Sequence, residues 1–229
     1  AVARLRAAGA IVLGKTNLPD FAGHGTRSQS TVAGVTLNAF DPDRAPGGSS
    51  GGTATAVSGN LAVVGLGTET GGSIQNPAAA QGLVGGKPTF GTVPLDGGVP
   101  IDATYRDVVG PLARSVRDAA LVMDVIAGGS PRDLSSYAGQ EHIPEEGYVA
   151  GLDESSLQGK RFGLVGPGWR DQFLPLEEET AALYREAVRV LEARGAEVVE
   201  DPFLDTGWKE VYEGREGVPT TGAHDLLVY

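Results

Sequence analysis

The chain has 229 residues, 41% hydrophobic and 21% charged, enough to build an apolar core as one large domain or two small ones. Eighteen Lys and Arg against 29 Asp and Glu leave a net charge of −11, a poor balance for gripping phosphates, so no direct nucleic acid contact is expected. With no cysteine there is no disulfide scaffold, zinc–thiolate site or cysteine nucleophile, and no apolar run approaches the ~20 residues of a membrane span.

In chain order, AVARLRAAG opens in mid-pattern and reads as the last turns of a helix stopped at Gly9. That opening, and the equally abrupt end at HDLLVY, suggest a piece of something longer. Ala10–Leu13 has the apolar character of a short buried strand. Residues 14–50 are rich in turn signals, at Asn17–Asp20, Gly23–Gly25 and Asp41–Gly48. Thr53–Ser58 has the small residues of a tightly packed helix, Leu61–Gly67 is an apolar run of strand length, and Gly71-Gly72 breaks the pattern. Residues 83–101 alternate short apolar pieces with Gly and Pro, as strands and turns would.

Ser115–Ala127 predicts the clearest helix. Ser115 and Asp118 form a capping box, Val116, Ala120, Met123 and Ile126 share one face, and Gly128 supplies the stop. Residues 128–159 read as a linker or surface excursion. Phe162–Val165 is a strand, Glu177–Arg194 an amphipathic helix carrying Leu183, Ala187, Val190 and Leu191 on one side, and Ala196–Glu200 another strand closed by Pro202. The acidic run Glu177-Glu178-Glu179 is a solvated first turn favoured by the helix dipole. Strands alternating with helices argue for an α/β layer fold with a largely parallel sheet.

Three motif matches compete for the chemistry. Gly9 to Thr16 satisfies G-x-x-x-x-G-K-[ST], but Ala10, Ile11, Val12 and Leu13 occupy the place where a phosphate cradle must flex, so Lys15 is better read as a structural residue at a strand end. Gly47-Gly-Ser49-Ser50-Gly51 fits a nucleophile elbow at Ser49, and again at Ser50 one residue on. An elbow needs a buried strand before it and a partnered His after it. A polar loop with Pro42 and Pro46 precedes instead, and His142 and His224 lie in loop-like contexts.

The third reading joins two Gly/Ser clusters, Pro46–Gly52 and Gly71-Gly72-Ser73-Ile74, with Ser73 standing 24 residues after Ser49. As plain linkers they would not flank an apolar strand and a small-residue helix. As a site made of backbone, Ser50-Gly51-Gly52 opens a helix with free N–H groups, and Thr70-Gly71-Gly72-Ser73 lines up amides as a nest suited to an oxyanion.

Seven ordered segments carry a resemblance to the amidase signature family of Ser-Ser-Lys hydrolases. They are residues 4–17 (RLRAAGAIVLGKTN), Gly34-Val-Thr-Leu-Asn38, residues 44–52 (RAPGGSSGG), residues 67–74 (GTETGGSI), Gly86-Lys-Pro-Thr-Phe-Gly91, residues 110–118 (GPLARSVRD) and residues 124–128 (DVIAG). The likeness is continuous over residues 1–130 and weak beyond. It implies a mixed, mostly parallel β-sheet flanked by helices on both faces. It also implies that residues 1–130 are a core lacking its N-terminal part, with 131–229 a linker plus the start of the C-terminal part of the same domain.

Carried over, Ser73 resembles the nucleophile and Ser49 the bridging serine, and the amides of Thr70, Gly71, Gly72 and Ser73 resemble the oxyanion hole. In this family a neutral lysine draws the proton from the bridging serine; desolvation lowers a lysine's pKa and makes it a usable base. That lysine lies upstream in an apolar stretch followed by Asp, a setting that none of Lys15, Lys87, Lys160 and Lys209 shares. The expectation is therefore a parent amidase acting on a small or aryl carboxamide, and a 229-residue piece inactive by itself. The resemblance implies no metal and no organic cofactor, a small-molecule amide substrate and a cytoplasmic location. Gln75 stands where many members have Arg, Glu69 where Asp is common, and Thr53 where Ser is frequent. Within the family the rival is the glutamine-hydrolysing subunit of a tRNA-dependent amidotransferase, whose usual Ser-Arg-Tyr-Gly is not matched by Thr92-Val-Pro-Leu. Outside enzymes, the alternative is a binding protein that kept the scaffold and lost the base.

Overall fold

The structure is a computed structural model that describes residues 1–152, 157–164 and 177–200. The chain divides into two compact units, Ala1–Leu152 and Asp153–Tyr229. The first helix, α1 (Val2–Ala7), ends where the sequence places its stop: Gly9 takes φ +92 and donates to the Arg6 carbonyl. Residues 10–13 differ from expectation. They form no strand, and Ile11, Val12 and Leu13 are 85%, 53% and 73% exposed. An apolar run becomes a strand only when a neighbour takes its N–H and C=O groups, and among the described residues none does so.

Two short strands, β1 (Gln29–Ser30) and β2 (Gly34–Val35), pair across a tight turn. Helix α2 (Gly51–Ser58) follows, then β3 (Val64–Glu69), α3 (Gln75–Ala80), β4 (Val84–Gly85), β5 (Val108–Ala113) and α4 (Val116–Ile126). Strand β3 begins three residues later than the apolar run at Leu61 suggests; Leu61 and Val63 are exposed. The α/β class holds, and among the described residues β5 is the strand of this sheet that departs from parallel pairing. The sheet order is β3-β5-β4, with β5 antiparallel to both neighbours. Strands β3 and β4, joined through α3, run parallel to each other, as a helical crossover requires. Strand β5 arrives by the loop 86–107, runs the other way and inserts between them.

The core of this unit is Val93, Val122, Met123 and Ile126, with Leu5 of α1 and Val64, Leu66 and Val109 of the sheet against it. A second cluster, Ile74, Ala78 and Leu112, packs α3 under the sheet. Helix α4 has the predicted box: Ser115 Oγ accepts from Asp118 N–H at 3.1 Å and bonds the Asp118 carboxylate at 2.7 Å. Its other end is not stopped by Gly128 alone. Ala127 is already extended, and the Arg4 guanidinium donates to the carbonyls of Ile126, Ala127, Gly128 and Gly129.

Residues 128–149 are more ordered than a linker. They hold 3₁₀ turns at Leu134–Tyr137 and Gln140–His142, and Ser130 and Ser136 are buried. In the second unit β6 (Arg161–Leu164) pairs with β7 (Glu197–Glu200) in parallel, and α5 (Glu178–Ala193) precedes β7 in the chain. Val165, Pro202 and His224 lie outside the described residues. Among the described residues no helix is long and apolar enough to cross a membrane, and no cluster of His, Asp or Glu could hold a metal ion.

Candidate active site

The loop before α2 is buried from Pro46 onward, and Ser49 is 1% exposed. Its path depends on close backbone approach. Gly47 has φ +76, and a Cβ there would stand 2.4 Å from Pro77 Cα, so only glycine fits. The Gly48–Ser49 peptide is cis. The buried Ser28 hydroxyl lies 3.1 Å from the carbonyls of Gly47 and Ser49 and accepts the Gly51 N–H at 3.0 Å. Gln81, fully buried, donates to the Pro46 carbonyl at 2.9 Å. Among the described residues, none of the bonds that fix this loop engages the Ser49 hydroxyl.

The second loop follows β3. Gly72 has φ +113, the left-handed geometry that a nest of successive amides uses. Ser73 is half-buried. The fully buried Glu69 carboxylate accepts the N–H groups of Ile74 at 2.7 Å and Gln75 at 2.9 Å, and the Gln75 side-chain amide at 2.5 Å. Thr70 Oγ donates to Asp107 Oδ1 at 2.5 Å, while Asp107 Oδ2 accepts from the N–H groups of Ile101 and Asp102.

These two loops meet. Ser50 N–H donates to the Ser73 carbonyl at 3.1 Å, and Ser50 Oγ lies 3.2 Å from both the N and the O of Thr68. The Gly25 carbonyl takes the N–H of Gly48 and the side-chain amide of Asn76, pinning both loops to one point. The serines, 24 positions apart in sequence, therefore stand on adjoining backbone. A cleft of about 440 Å³ opens beside Thr70 and Asp107. The Arg106 guanidinium lies close to Gly71: a Cβ on that glycine would meet Nη2 at 3.6 Å.

The competing motifs find no such support. Lys15 is exposed and lies in no strand. No strand leads into Ser49, and His142 Nε2 faces Glu141 Oε1 at 3.7 Å near the surface. Lys87 lines a separate cleft of about 280 Å³ with Thr92, His142 and Tyr148, whose phenol is pushed up by burial and then by the Asp124 carboxylate. Lys160 is exposed in the second unit, and Lys209 lies outside the described residues. Sequence reasoning missed Ser28, Gln81 and Asp107 altogether. The sole sequence signal for any of them is a lone Gln among small residues at Ala80-Gln81-Gly82.

The family model for amidases matches residues 1–213. Among curated relatives, a glutamyl-tRNA(Gln) amidotransferase subunit of Roseiflexus castenholzii is 43% identical over 201 residues, which is 87% of this chain and 39% of that protein. The corresponding subunit of Thermus thermophilus is 53% identical over 136 residues, 59% of this chain and 28% of that protein. Among solved structures, the peptide amidase of Stenotrophomonas maltophilia superposes with a TM-score of 0.78 at 41% identity, covering 91% of this chain and 42% of that one. The glutamyl-tRNA(Gln) amidotransferase subunit of Thermotoga maritima gives 0.76 at 33% identity, covering 97% and 46%. The chain thus spans about two fifths of the length of relatives it matches almost end to end. A match of this extent, on a chain whose two serine loops adjoin in space, makes it a member of the amidase signature family.

Proposed function

We propose that these residues carry the nucleophile half of an amide-hydrolysing centre. Ser73 Oγ attacks the carboxamide carbon, its proton passing to Ser49 and that of Ser49 to a neutral lysine. The oxyanion forms against the amides of Thr70, Gly71, Gly72 and Ser73, backbone donors aimed at the charge that develops there. When the C–N bond breaks, Ser49 returns a proton to the leaving nitrogen and an acyl group remains on Ser73. Water then releases the acid by the same relay in reverse. The observation that carries the reading is the 3.1 Å bond from Ser50 N–H to the Ser73 carbonyl, because it sets the neighbouring Ser49 beside the nucleophile loop.

The lysine is not supplied by Lys15, Lys87, Lys160 or Lys209, so residues 1–229 alone are expected to turn over no amide. The test uses the protein with its complete upstream sequence and a panel of amides. Ser73→Ala is expected to cut kcat on the order of 10^4-fold or more, and to abolish labelling by a fluorophosphonate. Amide turnover by residues 1–229 alone, lost on Ser73→Ala, would refute the assignment of the base to a lysine outside them.

The names of the sequence relatives favour a second reading, glutamine hydrolysis in the service of a tRNA-dependent amidotransferase. Ammonia release from glutamine that appears only with partner subunits would select it. Release from simple amides without partners selects the free-standing amidase. Direct tRNA contact is not part of either reading, given the net charge of −11.

A further inference from the structure

We infer that Asp107 is a positioning residue for the reaction: by holding the Thr70 hydroxyl it sets the direction of the backbone amides that meet the oxyanion. This role presupposes Ser73 as the nucleophile and the amides of residues 70–73 as the donors to the developing charge.

Strand register brings the pair together. Strands β3 and β5 run antiparallel up to a last rung of Glu69 opposite Val108. One step further on each chain stand Thr70 and Asp107, facing each other where the ladder ends and the loop that carries Ser73 begins. Directly opposed side chains are within reach of a hydrogen bond, and Thr70 Oγ donates to Asp107 Oδ1 at 2.5 Å.

Asp107 is itself firmly held. It is 7% exposed, and its Oδ2 accepts the N–H groups of Ile101 at 2.7 Å and Asp102 at 2.9 Å. Its own N–H donates to the Asp102 carbonyl at 2.9 Å, which closes the turn 101–107 on this one residue. The carboxylate is thus a fixed post, and the hydroxyl is tied to it by a charge-assisted bond.

The residues that follow explain why Thr70 is the one gripped. Gly71 and Gly72 have no side chain, and glycine backbone turns freely, so the direction of their amides must be imposed from the ends of the loop. Glu69 acts at the far end, through Ile74 and Gln75. Thr70 is the handle at the near end. Threonine is stiff at χ1 because two heavy atoms crowd its Cβ. Holding Oγ therefore anchors the Cα–Cβ bond, and the peptide planes that carry the Thr70 and Gly71 N–H groups both hinge on that Cα. The stretch that Asp107 closes also lines the cleft, through Leu95, Val99 and Ile101. A residue that only shaped the cleft would act on binding, whereas one that aims the amides acts on the transition state.

The two roles separate in the rate of labelling by a fluorophosphonate, measured against reagent concentration on the protein with its complete upstream sequence. Labelling joins Ser73 Oγ to phosphorus as the P–F bond breaks; fluoride leaves, the hydroxyl proton passes to Ser49, and the phosphoryl oxygen takes the place of the oxyanion. Thr70→Val, which keeps the shape and removes the hydroxyl, is expected to lower the maximal rate roughly tenfold or more, short of the ~10^2- to 10^3-fold that loss of a whole oxyanion donor costs. The half-saturating concentration should stay within about threefold. Asp107→Asn should act in the same way, and Thr70→Val added to it should cost little more, because both remove one bond. Thr70→Ser, which returns the hydroxyl, should recover most of the loss. Should Asp107→Asn fail to fold, Thr70→Val against Thr70→Ser decides alone. An unchanged maximal rate in Thr70→Val, a loss confined to the half-saturating concentration, or Thr70→Ser as slow as Thr70→Val would overturn the role of Asp107. Labelling of the parent sequence that survives Ser73→Ala would instead refute Ser73 as the nucleophile, and the role of Asp107 with it.

Discussion

At Glu69 a carboxylate that is 1% exposed faces three N–H donors and no cation among its bonded partners. Burial of a charge is tolerable only when such donors replace water. All three donors come from Ile74 and Gln75, the residues that directly follow Ser73, so Glu69 holds the exit of the loop that carries Ser73. Glu69→Gln replaces an acceptor of three bonds with an amide that accepts at one atom and presents its own N–H groups to the donors. It is expected to cost about 3 kcal/mol of stability, read from denaturant unfolding of residues 1–229. A change below about 0.5 kcal/mol would show that the carboxylate does not hold this loop.

Helix α4 illustrates how one element draws on both near and distant sequence. Its N-terminus is satisfied within the helix, by Ser115 and Asp118. At its other end the carbonyl of Ile126, and those of the three residues after it, are met by Arg4, more than 120 positions upstream. A cation there also faces the negative end of the helix dipole. Arg4→Met keeps the apolar stem and removes the donors. It is expected to cost about 2 kcal/mol, more than the ~1 kcal/mol of Ser115→Ala, with urea unfolding as the measure. The reverse order would mean that the local cap dominates.

Across the first unit, the excursion 128–149 is tied to the cleft wall through Asp133, whose Oδ2 accepts the Leu95 N–H at 2.8 Å. Burial of Asp133 opposes its ionisation, but the hydrogen bonds from Ser135 and Leu95 outweigh it and hold the carboxyl below its ordinary value. A folded pKa below the unfolded one stabilises the protein above about pH 4, the ordinary carboxylate value, and that stability is lost as pH falls through the lower folded value. The thermal midpoint of Asp133→Asn should therefore lie below that of the parent sequence near neutrality, the gap narrowing as pH drops under 4. A gap that stays constant from pH 7 to pH 2 would rule out this linkage.

Several features of this protein are written in short stretches of sequence. The capping box of α4, the helix stop at Gly9, the small-residue helix α2 and the alternation of strand and helix all depend on bonds between residues a few positions apart. The membership of Ser49 and Ser73 in two Gly/Ser clusters was legible for the same reason. Other features required the folded chain. The reversed direction of β5 follows from the path of a 22-residue loop that has no helix to return it. Ile11, Val12 and Leu13 have a strand's composition but no neighbour to bond among the described residues, because pairing is decided by what lies alongside and not by the run itself. Ser28, Gln81 and Asp107 are ordinary polar residues in the sequence. They acquire roles only because packing places their hydrogen-bonding atoms against backbone groups that water can no longer reach.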